Sequence, residues 1–110
     1  MIQDTVSRVE AAIKRLGTKD KKTRSELIAL LGKLKEEIAI LEEAHGEHAA
    51  SIVGFAEAAA HEATRRERSP ELLRLSSAGL SWSVKGFETS HPRLVEAADN
   101  ICRFLSALGI

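Results

Sequence analysis

The chain has 110 residues, 16 Lys and Arg against 16 Asp and Glu, and a single cysteine, Cys102. This length suits one domain, and the lone cysteine excludes both an internal disulfide and zinc sites built from several cysteines. The zero net charge, with no basic run interleaved with aromatic residues, argues against nucleic acid as a partner. We therefore expect a single domain over residues 1–110.

The composition favours helices and a chain that stays in solution. Ala, Leu, Glu, Arg and Lys are abundant, aromatic residues make up 4% of the chain, and only two prolines occur. The N-terminus has no basic segment followed by an apolar one, and no apolar run approaches the ~20 residues needed to cross a bilayer. The sequence thus predicts an all-α, cytoplasmic protein without a membrane segment.

A short first helix is predicted from Asp4 or Thr5 onward. Its apolar residues recur at intervals of three and four, and they are Val6, Val9, Ile13 and Leu16. Gly17 stands where a helix commonly ends in a left-handed residue, and a polar, basic linker over residues 18–22 follows. We expect this helix to be short and apolar on one side.

A long central helix is predicted next, because ten residues recur at alternating intervals of four and three. These residues, called the seam, are Leu27, Leu31, Leu34, Ile38, Leu41, His45, His48, Ile52, Phe55 and Ala59. The unbroken register favours one helix over about residues 20–64, and a break near Gly46 is the alternative. A continuous helix would be about 68 Å long, too long for one compact chain to cover. We therefore expect a homodimer or larger oligomer that forms through the central helix.

The zero net charge hides an uneven distribution. Residues 27–62 hold two basic and seven acidic side chains, whereas residues 1–26 hold seven basic and four acidic ones, and residues 63–110 hold seven and five. Like charges along a helix oppose parallel, in-register pairing. The distribution therefore favours an antiparallel arrangement of two copies.

Two C-terminal helices complete the predicted helical bundle. Ser69, Pro70 and Glu71 follow one another in the order of an N-cap, a first-turn proline and a first-turn acid. Two sets of apolar residues follow, the first being Leu73, Leu80, Val84 and Phe87, with Leu72 and Leu75 beside them, and the second Leu94, Ala98, Ile101, Leu105 and Leu108. Pro92 opens the second of these helices.

The acidic middle of the chain contains the most specific candidate for chemistry. Glu42 and His45 have the Glu-x-x-His spacing of di-iron bundles, His48 lies one turn further on, and Glu57 and His61 repeat the pairing at a spacing of four. A complete di-iron site needs two such motifs and two further glutamates that face inward, and association of two chains could supply them by symmetry. A metal site at a chain interface is therefore one hypothesis; the others are histidines that hydrogen-bond across a helix interface, and histidines exposed at a break.

Nothing in the sequence predicts catalysis. No Gly-x-Ser-x-Gly elbow and no glycine-rich phosphate loop occurs. Cys102 is interpreted as a buried structural thiol, His91 as a residue that precedes a helix, and Trp82 as a partly buried anchor. We expect a protein that is not an enzyme, with no cofactor, no catalytic residue and no cofactor-binding residue.

The C-terminal part of the chain resembles a known family. The run Val84-Lys-Gly-Phe87-Glu-Thr-Ser-His91-Pro92-Arg-Leu94 and the end Leu105-Ser-Ala-Leu108-Gly109-Ile110 resemble DUF4404, a small bacterial family of unknown function. Residues 51–67 and 69–73 look like the longer members of that family. The resemblance implies a compact, helical, cytoplasmic bacterial protein, and it implies no activity and no site residue.

The functional expectation is a structural or protein-interaction helical protein that self-associates through the seam. The alternative is a metal-binding helical protein with a site at a chain interface, formed by Glu42, His45 and His48. A nucleic-acid-associated protein that uses the basic N-terminal segment is a third, weaker hypothesis. The biological process and any other protein partner stay open.

Overall fold

The computed structural model describes residues 21–108, and this part of the chain contains four helices and no strand. The helices are α1 (Lys21–Glu42), α2 (Gly46–Thr64), α3 (Pro70–Ser83) and α4 (Pro92–Ser106). The all-α prediction and the two predicted C-terminal helices are confirmed. The short first helix predicted from residue 4 to residue 16 lies outside the described residues.

Each helix packs against the helices that precede and follow it in the chain, and α4 returns to pack against α1. The connecting segments are short, with three residues between α1 and α2, five between α2 and α3, and eight between α3 and α4. Short connections reverse the chain direction, so the helices alternate up and down around one core. None of the described helices is both long enough and apolar enough to span a membrane.

The continuous central helix predicted over residues 20–64 is wrong. The helix ends at Glu42, where the backbone N–H groups of Ala44 and His45 both donate to the carbonyl oxygen of Leu41, at 3.2 and 2.9 Å. The chain then reverses and α2 begins at Gly46, which matches the alternative of a break near that residue. Reversal lets the apolar faces of α1 and α2 bury each other within one chain, which a 68 Å rod could not do.

The core has large side chains on one side and small ones on the other. α1 contributes five seam residues that are at most 3% exposed, namely Leu27, Leu31, Leu34, Ile38 and Leu41. α2 contributes mainly alanines, and its buried residues are Ala49, Ile52, Val53, Ala56, Ala59, Ala60, Ala63 and Thr64. Small side chains on α2 allow its neighbours to approach closely. The α1 half of the seam is therefore covered by the chain itself.

The local signals in the sequence explain where α3 begins. The Ser69 hydroxyl accepts a hydrogen bond from the backbone N–H of Leu72 at 3.3 Å, and Pro70 occupies the first turn. Both features agree with the sequence prediction, because an N-cap and a first-turn proline act on their own few residues and need no tertiary partner.

Gly86, in the connection between α3 and α4, is the described residue whose backbone needs glycine. Its φ is +96°, and its N–H donates to the Glu88 carboxylate at 2.8 Å. We expect Gly86→Ala to lower the free energy of unfolding by about 1–2 kcal/mol, because an L side chain is strained at this φ. The matched control is Gly32→Ala, inside α1 with open space around its Cα, which should gain up to about 1 kcal/mol. Urea denaturation followed by circular dichroism checks both, and a neutral Gly86→Ala would contradict the assignment.

Candidate functional site

Within one chain, the residues of the alternative metal site, Glu42, His45 and His48, do not form a ligand set. Glu42 is the last residue of α1, His45 lies in the reversal, and His48 lies in the first turn of α2. Both histidines are exposed, and their ring centroids are 6.2 Å apart. Among the residues that the structure describes, no three His, Cys, Asp or Glu side chains are arranged to hold a metal ion. His45 and His48 lie at the break between α1 and α2 and are exposed within one chain, as the interpretation of histidines at a break expects.

Three histidines instead surround one phenylalanine at an end of the bundle. The ring centroid of Phe87 lies 5.4 Å from those of His45 and His48 and 5.6 Å from that of His91, in edge-to-face geometry. Phe87 is 8% exposed, so the histidine rings cover an apolar residue that closes the end of the core. The cluster joins the α1–α2 and α3–α4 connections, which an up-and-down bundle places at the same end.

The sequence does not reveal this cluster, because its members are up to 46 residues apart and each has a local interpretation. His91 lies immediately before α4, as the sequence predicts. Its Nδ1 atom is 2.9 Å from the Ser90 hydroxyl oxygen. The sequence contains one signal for the cluster. A histidine or an aromatic residue occurs in each of the two connections that a bundle places at the same end.

A shallow cleft of about 350 Å³ lies between α3 and α4 and contains the cysteine. Its lining residues are Arg74, Ser77, Ala78, Ser81, Cys102 and Ser106. The Cys102 thiol donates to the Ser77 carbonyl oxygen at 3.4 Å and is half-buried, not fully buried as predicted. Burial is the main cause that raises the pKa of Cys102, and the charge of Asp99 adds to it. A raised pKa keeps Cys102 in its thiol form near neutral pH, and the thiolate is the nucleophilic form, so this cysteine is not activated.

The outer surface of α3 carries the largest exposed apolar group of the described residues. Leu72, Leu75, Gly79 and Trp82 recur at intervals of three, four and three and so lie on one side of the helix. Together with Phe55 of α2, they are called the α3 face. Leu75 is 68% exposed and Trp82 is 70% exposed, so the prediction of Trp82 as a partly buried anchor is wrong.

Phe55 belongs to the α3 face because its ring lies directly on Gly79. A Cβ atom at position 79 would collide with Cδ1 and Cε1 of Phe55, so the absence of a side chain at Gly79 lets the aromatic ring lie against α3. Phe55 is nevertheless 41% exposed. This seam residue was expected to face a helical partner, and the structure places it at the edge between α2 and α3.

Most of the exposed large apolar side chains of the described residues lie on the α3 face. It holds four of the five exposed large apolar side chains in the described part of the chain, and the fifth, Ile40, lies on α1. The exposed fractions of these four side chains correspond to about 500 Å² of apolar surface. The largest apolar patch on a monomer covers roughly 300–600 Å², so the α3 face lies in the upper part of that range. Patches of this size commonly contact another molecule.

Charged groups stand at the two ends of the α3 face. Glu71 is exposed at the start of α3, and Lys85 is exposed just after its end. The Lys85 ammonium nitrogen lies 4.8 Å from the centre of the Trp82 ring, so a cation covers one end of the apolar stripe. Arg74 lies on the other flank of α3, in the cleft with Cys102. The face therefore has a negative end and a positive end.

Comparison with known proteins adds no relative. No family model, no curated protein and no solved structure matches this chain. The resemblance to DUF4404 therefore stays an expectation from the sequence.

Proposed function

We propose that this protein is a structural or protein-interaction bundle that performs no catalysis and self-associates through its α3 face. The observation that carries the proposal is the gathering of Phe55, Leu72, Leu75 and Trp82 on one surface. A large exposed aromatic residue beside aliphatic ones is the composition of the central part of a protein interface.

In this proposal the α3 face, and not the seam, pairs two copies. Leu34, Ile38 and Leu41 of the seam are at most 1% exposed within one chain, so they present no surface to another copy. The α3 face is available instead, because α3 buries a different set of residues, Leu73, Ser76 and Leu80, against the core.

The size of the α3 face supports a weak but specific contact. If two copies each cover about 500 Å² of apolar surface, the interface buries roughly 1,000 Å², near the lower limit for specific protein–protein interfaces. Interfaces of this size at the weak end have dissociation constants on the order of micromolar. We therefore expect monomer and dimer to interconvert in the micromolar range.

Sedimentation equilibrium tests the proposed function. Over about 1–500 µM, the average mass of the wild-type chain should rise from that of a monomer toward that of a dimer. Leu75→Glu should weaken association at least about 30-fold, because each interface would then bury two unpaired carboxylates.

The matched control is Ile40→Glu, which places the same charge on an exposed apolar residue of α1, outside the α3 face. This variant should associate like the wild type. A wild-type chain that stays monomeric over the whole range, or equal effects of Leu75→Glu and Ile40→Glu, would overturn the proposal.

A further inference from the structure

Building on the proposed function, we infer that the second copy lies antiparallel on the α3 face, so that two chains form a closed dimer. The apolar residues of α3 are spaced three, four and three apart, which is symmetric about position 77. In an antiparallel pair centred there, Leu72 faces Trp82 of the second copy and Leu75 faces Gly79. Every apolar position of one copy then meets an apolar position of the other.

Phe55 gives the centre of this contact its shape. Its ring fills the space above Gly79, where any other residue would place a Cβ atom. Leu75 of the second copy therefore meets an aromatic ring rather than bare backbone. The ring also joins α2 to the contact, so that the surface each copy presents is wider than a single helix.

The charges at the ends of the α3 face favour the antiparallel orientation. Glu71 stands at one end of the stripe, and Lys85 stands at the other with its ammonium group over Trp82. Because Trp82 faces Leu72 of the second copy, Lys85 comes next to Glu71 of that copy, and the two-fold symmetry repeats the pair. A parallel pair would instead place Glu71 against Glu71 and Lys85 against Lys85.

The same geometry sets the number of copies at two. In an antiparallel pair both chains use the same surface, and a two-fold contact of this kind uses up the α3 face of each chain. The other exposed large apolar residue of the described chain, Ile40, stands alone on α1 and offers no second contact. The inferred assembly is therefore a closed dimer and not a filament.

Charge reversal at the two ends tests the orientation. In buffer of low ionic strength, Glu71→Lys and Lys85→Glu should each weaken dimerisation roughly tenfold, because two attractive pairs become repulsive. An equimolar mixture of the two variants should form heterodimers about as tightly as the wild type, since each reversed charge then meets its opposite. Both residues are exposed, so circular dichroism should show an unchanged fold.

A parallel dimer would behave differently, and so would a dimer formed through another surface. In a parallel pair, each single variant associates like the wild type and only the mixture associates more tightly. In a dimer through another surface, none of the three samples differs from the wild type. The parallel result overturns the antiparallel inference and leaves the proposed function intact, whereas a dimer through another surface or a monomeric wild type overturns the proposed function as well.

Disulfide trapping provides a second measurement that does not depend on weak charge effects. In a Cys102→Ala background, mild oxidation of a mixture of Glu71→Cys and Lys85→Cys chains should yield mainly the mixed dimer. Either variant alone should give little cross-linked product. Efficient cross-linking of Glu71→Cys with itself would overturn the inference, because parallel chains bring those positions together.

Discussion

Replacing Leu41 by alanine is expected to lower the free energy of unfolding by about 3–4 kcal/mol. Leu41 is fully buried, and it lies in the last turn of α1, where its carbonyl oxygen accepts the two N–H groups that begin the reversal. Alanine keeps these backbone hydrogen bonds but leaves a cavity where α1 meets α2. Because the surrounding helices relax only partly, the loss exceeds the transfer free energy of the deleted carbon atoms.

Ile40→Ala is the matched control for this prediction. Ile40 precedes Leu41 in the same turn of α1 and is 60% exposed, so its truncation should change stability by about 0.5 kcal/mol or less. Urea denaturation at two protein concentrations measures both variants. A cost for Leu41→Ala that appears only at the higher concentration would mean that a second chain, and not the chain itself, buries this side chain.

The helices and their buried sides were predictable where the signals are local. The recurrence of apolar residues from Leu27 to Leu41 and from Leu94 to Leu105 predicts amphipathic helices, and these residues are buried. The start of α3 at Pro70 was predictable for the same reason, because Ser69 caps its own first turn.

The reversal between α1 and α2 was not predictable from periodicity. The seam keeps its spacing through His45 and His48, but these two residues are exposed, and the buried pattern of α2 starts at Ala49 and Ile52. Two separate helices can each have a period of three and four, and a short connection can preserve the phase by coincidence. The usable signal was polarity, because two successive seam positions are histidines where a continuous core needs apolar side chains.

The α3 face was visible in the sequence but not distinguishable from the buried face. α3 carries two apolar stripes, one through Leu73 and Leu80 and another through Leu72, Leu75 and Trp82. Which stripe is buried depends on how α2 and α4 pack against α3, and this is information that the periodicity of one helix does not contain. A helix with two apolar stripes in a small bundle is itself a signal that one of them faces a partner.

Enlarging Ala59 to leucine is the second substitution with a large expected effect. Ala59 is 1% exposed on α2, the helix whose buried side consists mostly of alanines. Leucine adds three carbon atoms at a buried position, so neighbouring side chains must leave their preferred rotamers or α2 must move outward. We expect the free energy of unfolding to fall by about 2–3 kcal/mol.

The control for Ala59→Leu uses the same substitution at an exposed position of the same helix. Ala50 is exposed on α2, and leucine has nearly the helix propensity of alanine, so Ala50→Leu should change stability by about 0.5 kcal/mol or less. The difference in the free energy of unfolding between the two variants therefore measures only the packing of α2 against its neighbours. Equal denaturation midpoints for Ala59→Leu and Ala50→Leu would mean that α2 does not approach its neighbours closely. Close helix packing would then not explain why α2 is rich in alanine.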